Sequence, residues 1–276
     1  MLKLGLIGKD VSKSDSARMH TFIVRRMGED CTYDLLSITP EELDATVKTL
    51  LSEYDAFNVT IPYKRDVFPY LKEIRGDAAV FGAVNTVTGG CGYNTDGLGF
   101  SLMLENNGVV PAGKKALVLG AGGAGRSVIR KLADAGADVY AYDVCGENLD
   151  RVYADFGCFT PVRVLSPADY DIVVNATGVG MHRSVGKSPV GADMLESAGT
   201  AVDLIYVPRQ SEFLRIAASM GKKTVNGEGM LFYQAYFADC LYLGREPDAA
   251  EAKGLFEAYR AQGRETIQDG GIPAAR

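Results

Sequence analysis

The chain has 276 residues, of which 47% are hydrophobic and 23% are charged, with a formal net charge of −6 at pH 7. This composition is typical of a globular protein and excludes collagen-like, low-complexity and disordered classes. The excess of acidic residues argues against nucleic-acid binding as the main function, because nucleic-acid-binding domains carry basic surfaces.

Features that would indicate a membrane, a secretory route or a metal are missing from the sequence. There is no apolar run of about 18 residues, so we expect no membrane-spanning helix. The apolar stretch 4–7 is too short for a signal peptide. The five cysteines form no C-x-x-C pair, and the two histidines, His20 and His182, are expected to pack or hydrogen-bond rather than catalyse. We therefore expect a cytoplasmic protein with reduced thiols and no metal.

Strand-like and helix-like runs alternate along the first part of the chain. We predict strands over residues 2–8, 31–39, 56–60 and 83–88, and helices over 16–27, 40–51 and 96–107. A hairpin turn is predicted at Gly89–Gly90. This alternation indicates βαβ units and a mostly parallel sheet.

The alternation continues after residue 113. We predict strands over residues 115–120, 138–144, 162–165, 171–176, 200–207 and 223–226. Helices are predicted over 124–135, 147–156, 211–220 and 228–243, with a last one within 248–264. The tail 268–276 is expected to fray.

The strongest local motif follows a predicted strand and opens a predicted helix. It reads Gly120-Ala121-Gly122-Gly123-Ala124-Gly125. Glycines at its first, third and sixth positions allow a tight turn, let a pyrophosphate approach the backbone and let the helix pack closely on the strand. The motif predicts a dinucleotide site of the Rossmann type, with a purely structural glycine turn as the alternative.

Asp143 bears on the choice of dinucleotide. It ends the next predicted strand about 20 residues on, where an acid holds the ribose 2′-hydroxyl. A carboxylate repels a 2′-phosphate, and the next residue is Val144 rather than an arginine. These residues favour NAD over NADP, with the alternative that Asp143 only caps a turn.

Two further motifs place polar side chains near strand ends. Asn58-Val-Thr60-Ile-Pro-Tyr-Lys64 carries Lys64 past the carboxyl end of a strand, where ligands bind in open α/β sheets. Gly82-Ala-Val-Asn85-Thr86 and Gly92-Tyr-Asn-Thr-Asp96-Gly flank the predicted hairpin. The alternatives are that Lys64 is an ordinary surface residue and that Asp96 is a helix N-cap.

With these motifs, the chain resembles the shikimate/quinate dehydrogenase family over nearly its whole length. Other matching segments are Gly5-Leu-Ile-Gly8, Ser14-x-Ser16, Asn175-Ala-Thr177-x-x-Gly180-Met181, Asp203-Leu204-Ile-Tyr206-x-Pro208 and Gly227-x-Gly229-Met-Leu-x-x-Gln234-Ala. The resemblance implies an α/β fold with two domains. An N-terminal α/β substrate domain of residues 1–105 would be completed by C-terminal helices in 229–276. A doubly wound Rossmann domain of residues 106–228 would bind NAD or NADP.

The resemblance also implies an activity and site residues. The protein would be an oxidoreductase that interconverts 3-dehydroshikimate and shikimate in the chorismate branch of aromatic amino-acid biosynthesis. Lys64 and Asp96 would form the catalytic pair. The substrate carboxylate would be held by Ser14, Ser16 and Tyr206, and its ring hydroxyls by Thr60, Asn85, Asp96 and Gln234. The nicotinamide side would be lined by Thr177, Leu204 and Gly227.

One segment departs from the family pattern. The first motif of the family usually carries His and Pro where this chain has Lys13 and Ala17, and Asp15 stands between the two serines. If this segment is extended, Asp15 points away from the serines; otherwise it repels a substrate carboxylate. The alternatives are therefore a quinate dehydrogenase, a dehydrogenase for another hydroxy acid, and a non-catalytic nucleotide-sensing protein. A monomer and a homodimer are both open, as is whether Lys64 or Asp96 carries the proton.

Overall fold

The computed structural model describes residues 1–268, with side chains as far as residue 262. The chain divides into two compact units, of which one combines Met1–Thr95 with the segment from Phe232 onward and the other is Asp96–Leu231. The domain boundaries expected at residues 105 and 229 stay predictions. The tail expected to fray was 268–276; Gln268 is the last residue of a helix, and residues 269–276 lie outside the described residues.

Twelve strands and nine α-helices make up the part of the chain that the structure describes. The strands are β1 (Leu2–Gly8), β2 (Cys31–Ser37), β3 (Ala56–Val59), β4 (Glu73–Ile74), β5 (Thr86–Thr88), β6 (Cys91–Tyr93), β7 (Lys115–Leu119), β8 (Asp138–Tyr142), β9 (Thr160–Pro161), β10 (Ile172–Asn175), β11 (Thr200–Asp203) and β12 (Lys223–Val225). The helices are α1 (Ser16–Arg26), α2 (Leu43–Glu53), α3 (Asp77–Phe81), α4 (Asp96–Asn106), α5 (Gly123–Asp134), α6 (Gly146–Phe156), α7 (Glu212–Ser219), α8 (Glu228–Leu243) and α9 (Ala249–Gln268).

The first unit is built on a six-stranded mixed sheet with the order β2-β1-β3-β5-β6-β4. β1 runs parallel to β2 and β3, whereas β5 is antiparallel to both β3 and β6. The predicted two-residue turn explains the reversal, because Gly89 and Gly90 have φ values of 58° and 77° and such turns join adjacent antiparallel strands. The sheet packs on α2 through side chains such as Phe57, Val59 and Val47.

The second unit is a fully parallel six-stranded sheet with the order β12-β11-β10-β7-β8-β9. This is the strand order of the doubly wound dinucleotide-binding fold, so the predicted Rossmann domain is confirmed. The order reverses between β7 and β10, where Leu119 lies opposite Asn175. A ligand crevice is therefore expected at the carboxyl ends of these two strands.

Several predicted elements differ from the structure at the sheet edges. The strand predicted over 162–165 is wrong: the edge strand is Thr160–Pro161, and Val164, which the prediction placed in a strand, is 78% exposed. The helix predicted from residue 40 begins as a 3-10 turn over Pro40–Glu42. The short elements β4 and α3 were not predicted, because two to five residues are too few to show a hydrophobic period. Within the described residues, no helix is both long and apolar enough to cross a membrane.

Candidate active site

The glycine motif forms the turn between β7 and α5. Gly120 has a φ of 101°, a conformation that side chains disfavour. A Cβ on Gly125 would lie 2.0 Å from the carbonyl oxygen of Gly120, so only glycine lets the first turn of α5 pack against the loop. Beside Gly122 and Gly123, in contrast, the Cβ positions face open space. The loop is thus closed towards the sheet and open where a pyrophosphate would meet the helix N-terminus.

A cavity of about 500 Å³ lies at the reversal point of the second sheet. Its lining brings together the glycine loop, the end of β8 and the residues after β10: Leu119, Gly120, Gly122, Tyr142, Asp143, Val144, Leu165, Ala176, Thr177, Gly178, Val179 and Pro189. Its size falls within the range of cofactor sites, which is roughly 300–1,000 Å³. The cavity and the open glycine loop fit a bound nicotinamide dinucleotide.

Asp143 fastens the glycine loop to the end of β8. One carboxylate oxygen accepts a hydrogen bond from the Ala121 N–H at 2.7 Å, and the other accepts one from the Cys145 N–H at 2.8 Å. The turn-capping role weighed for this residue is therefore present. The neighbouring side chain of Val144 is 91% exposed.

Thr177, one of the residues predicted on the nicotinamide side, is held by a network of hydrogen bonds with Asn175 and Asp203. The Thr177 hydroxyl donates to Asn175 Oδ1 at 2.6 Å, and Asn175 Nδ2 donates to Asp203 Oδ1 at 3.0 Å. Burial raises the pKa of Asp203, although hydrogen bonds from Ser211, the Ile205 N–H and Asn175 oppose the shift.

Leu204 and Gly227 meet through their backbones. A Cβ on Gly227 would lie 1.9 Å from the Leu204 carbonyl oxygen, and the Gly227 N–H donates to the Ile205 carbonyl at 3.1 Å. The loop after β11 therefore lies directly against the residue that precedes α8.

In the first unit, the two predicted serines lie side by side. The Ser14 hydroxyl donates to Ser16 Oγ at 2.9 Å. The extended conformation considered for this segment is wrong: Asp15 has φ −76° and ψ −1°, and a turn into α1 brings the serines together instead.

The Asp15 carboxylate is occupied elsewhere. It accepts two hydrogen bonds from Arg18, at 2.7 and 2.8 Å, and a third from the Tyr259 hydroxyl. Burial alone would raise the pKa of Asp15, but the Arg18 and Tyr259 hydrogen bonds outweigh it and hold this pKa below its usual value. The negative charge of Asp15 is thus compensated by Arg18, and Tyr259 hydrogen-bonds to the same carboxylate.

A cluster of amides and hydroxyls lies at the other predicted substrate contacts. Asn85 Nδ2 donates to Thr95 Oγ1 at 3.0 Å and to Gln234 Oε1 at 3.4 Å. Asn85 Oδ1 accepts from the Thr95 N–H at 3.0 Å. The fold thereby joins Asn85 and Gln234, which are 149 positions apart.

Backbone hydrogen bonds join Thr60 to β1 and Lys64 to the residue that precedes Asn85. The Thr60 N–H donates to the Ile7 carbonyl at 2.9 Å, and the Lys64 carbonyl accepts from the Val84 N–H at 2.7 Å. Lys64 itself is half-buried. It belongs to the first unit, whereas Asp96 and Tyr206 belong to the second, so the pairing of Lys64 with Asp96 and the role of Tyr206 stay predictions.

Some residues of these clusters were not predicted. Thr95 and Asn175 lie inside the quoted motifs but received no role, and their position beside Asp96 and Thr177 was the available signal. Within the described part of the chain, no cluster of three or more His, Cys, Asp or Glu side chains could hold a metal ion.

Comparison with known proteins points to one family. Residues 6–87 match the family model of the shikimate dehydrogenase substrate binding domain. A shikimate dehydrogenase (NADP(+)) of Acidiphilium cryptum is 38% identical over 270 residues, which cover 93% of this chain and 95% of that protein.

Solved structures agree with this similarity. Shikimate 5-dehydrogenase from Thermus thermophilus in complex with NADP(H) and shikimate has a TM-score of 0.85 at 32% identity, covering 94% of this chain and 99% of that one. Shikimate 5-dehydrogenase from Listeria monocytogenes in complex with shikimate and NAD has a TM-score of 0.82 at 27% identity, covering 92% and 96%.

Proposed function

The chain belongs to the shikimate dehydrogenase family, and we propose that it catalyses the reversible oxidation of shikimate to 3-dehydroshikimate with a nicotinamide dinucleotide. The observation that carries the proposal is the Asn85–Thr95–Gln234 cluster. A polyol needs several donors and acceptors at fixed angles, and a site built in this way rejects analogues that lack a hydroxyl. The paired hydroxyls of Ser14 and Ser16 suit a carboxylate.

The chemistry divides between the cofactor and the chain. When bound, the nicotinamide ring supplies or accepts the hydride. In the direction of reduction, we assign to the Lys64 ammonium the transfer of a proton to the C3 carbonyl oxygen, which becomes the hydroxyl of shikimate. In the reverse direction Lys64 takes this proton back. Asp96 is proposed to orient Lys64, and Thr60, Asn85 and Gln234 to hold the ring hydroxyls.

For the cofactor we favour NADP. Relatives known as shikimate dehydrogenase (NADP(+)) support this choice and do not support the preference for NAD expected from Asp143 and Val144. The Asp143 carboxylate already accepts two backbone hydrogen bonds, and a cation lies close to the loop that follows it. Arg163 Nη1 is 3.5 Å from the position that a Cβ on Gly146 would take, and its guanidinium pairs with Asp150. A guanidinium suits a 2′-phosphate through charge-assisted hydrogen bonds.

One absorbance assay tests the whole proposal. Initial rates are followed at the nicotinamide band while shikimate and quinate are each crossed with NADP and NAD. We expect the highest kcat/KM for shikimate with NADP. A higher value for quinate would make the protein a quinate dehydrogenase. Turnover of neither polyol, with nucleotide binding retained in a titration, would support another substrate or the non-catalytic sensing role.

A further inference from the structure

A histidine and an aspartate form a pair inside the first unit. His20 Nδ1 lies 2.7 Å from Asp239 Oδ1, and their side chains are 2% and 0% exposed. The residues come from α1 and α8 and are 219 positions apart. Buried ionisable groups are costly unless they are paired, so this pair requires an explanation.

The side chains around the pair are neutral at pH 7. The His20 ring stacks on Tyr33 of β2, with centroids 4.8 Å apart and planes 12° apart, and Tyr242 of α8 lies 6.2 Å away. Burial raises the pKa values of Tyr33 and Tyr242 well above their usual value. Burial also raises the pKa of Cys31, and the negative charge of Asp239 adds to this rise. Each of the two buried groups therefore depends chiefly on the other for compensation.

A hydrogen-bonded chain leads from Tyr33 to the Asn85 cluster. The Tyr33 hydroxyl donates to Asn58 Oδ1 at 2.7 Å, and Asn58 Nδ2 donates to the Asn85 carbonyl at 3.1 Å. Thr86 Oγ1 accepts from Asn58 Nδ2 at 3.4 Å and donates to Asn85 Oδ1 at 2.8 Å. The Asn85 carbonyl can only accept, so Asn58 turns its Nδ2 towards Asn85 and its Oδ1 towards the Tyr33 hydroxyl, which therefore donates.

The same tyrosine also interacts with the serine pair, because the Ser16 side chain opposes the rise in the pKa of the Tyr33 phenol. Ser16 and His20 are four residues apart on α1 and therefore share one face of the helix. The position of the Tyr33 ring thus affects both groups of predicted substrate contacts.

We propose that His20 and Asp239 are positioning residues, which hold the Tyr33 ring so that Ser16, Asn85 and Gln234 meet a polyol carboxylate in one fixed geometry. The inference rests on the proposed function, since it assigns these contacts to the substrate. The pair touches neither substrate nor cofactor. It acts through Tyr33, and small displacements of contact groups cost large factors in rate or binding.

The test removes both members of the pair together. In His20→Phe/Asp239→Leu, an aromatic ring remains to stack on Tyr33 and no buried charge is left unpaired. We expect the KM for shikimate to rise about 10-fold, which is typical when a residue that orients a ligand-contacting side chain is replaced. The dissociation constant of NADP, measured by titration, should stay within about twofold.

Two further variants calibrate this result. Asp239→Asn keeps the shape of the side chain and one acceptor for His20 but removes the charge, so we expect a smaller, still measurable rise in the KM for shikimate and no change in NADP binding. This variant carries the test if the double variant does not fold. Tyr236→Phe is the matched control on the same helix, because the Tyr236 hydroxyl hydrogen-bonds to Asp248 and Glu251; we expect it to leave both constants unchanged.

The outcomes separate the inference from the function on which it rests. No turnover of shikimate by the unmodified protein would overturn the proposed function. Turnover by the unmodified protein, with an unchanged shikimate KM in the double variant (or in Asp239→Asn, if the double variant does not fold), would overturn the positioning role. A parallel loss of shikimate and NADP affinity would also overturn it, because a merely structural role predicts damage to both.

Discussion

Lys64 carries the central prediction at the scale of single residues. Replacement by alanine removes the proposed proton donor and leaves the glycine loop untouched. We expect kcat to fall by about 10²–10⁴, the range for a placed acid–base group. The measurement is steady-state turnover of shikimate, together with an NADP titration that should not change. Lys72→Ala, an exposed lysine of the same unit, is the control; unchanged turnover in Lys64→Ala would remove this lysine from the mechanism.

Arg163 tests the choice of cofactor. Its guanidinium lies beside the loop after β8, where Val144 offers no charge. Arg163→Ala should raise the dissociation constant of NADP about 10-fold, the loss of roughly one charge-assisted hydrogen bond, and leave that of NAD unchanged. Binding is measured by titration without substrate. Arg151→Ala, an exposed arginine on α6, is the control, and equal loss of both nucleotides would contradict a 2′-phosphate contact.

Asp15 gives a prediction for the pH dependence of stability. Its pKa in the folded protein is lowered from 3.8, so its contribution to stability is present above this pH and is lost as the pH falls through the folded pKa. The side chain is 42% exposed, which limits the contribution to about 0.5–1 kcal/mol. Urea unfolding should show Asp15→Asn less stable than the unmodified chain at pH 7, with a difference that shrinks steadily as the pH falls below 3.8.

Asp30→Asn removes the carboxylate of a more exposed ion pair with Arg25, at 3.2 Å, and serves as the comparison. We expect a smaller change there. A difference for Asp15→Asn that persists undiminished in acid would mean that the side chain acts through packing rather than through its charge.

At the scale of elements, the packing of α5 on the glycine loop decides whether the dinucleotide site forms. In Gly125→Ala, the new Cβ would lie 2.0 Å from the Gly120 carbonyl oxygen, so the helix must move away from the loop. We expect a loss of about 1–3 kcal/mol of unfolding free energy and at least about 10-fold weaker NADP binding, since the pyrophosphate depends on this geometry. Thermal unfolding and nucleotide titration measure the two effects.

Gly254→Ala in α9 makes the same chemical change where a Cβ meets no atom within 4 Å. There we expect a gain of about 0.5–1 kcal/mol, because alanine favours the helix. If Gly125→Ala were equally harmless, the close approach of the loop and helix would not be needed for binding.

At the scale of the whole molecule, the division into two units predicts separate responses to the two ligands. Hydrogen exchange should slow with NADP alone in the loops after β7, β8 and β10 of the second unit. With shikimate alone it should slow around Ser14–Ser16 and in the Asn85–Thr95 region of the first, because ligands protect the segments that they order. Mass-spectrometric exchange on the intact chain measures both, and protection by shikimate confined to the second unit would contradict the assigned substrate contacts.

Short-range patterns in the sequence were sufficient for most of the fold. A continuous apolar run located α8 at its observed limits. Short apolar runs located the parallel strands of the second unit other than β9 to within a few residues, since each run reflects the burial of a single element. The glycine motif likewise predicted its own turn, because backbone sterics are local. The position of the edge strand β9 was not predicted correctly, since a strand of two residues shows no hydrophobic period.

Only the tertiary structure decided which side chains become hydrogen-bond partners when they are distant in the sequence. The sequence left open whether Asp15 faces the serines; its carboxylate is held by Arg18 on the next turn and by Tyr259, a partner 244 positions away. The turn-capping bond of Asp143 comes from Ala121, 22 positions away, and the partner of His20 is Asp239, 219 positions away. Residue type and spacing determine which groups a chain offers, but a hydrogen bond forms only where the fold brings donor and acceptor within about 3 Å.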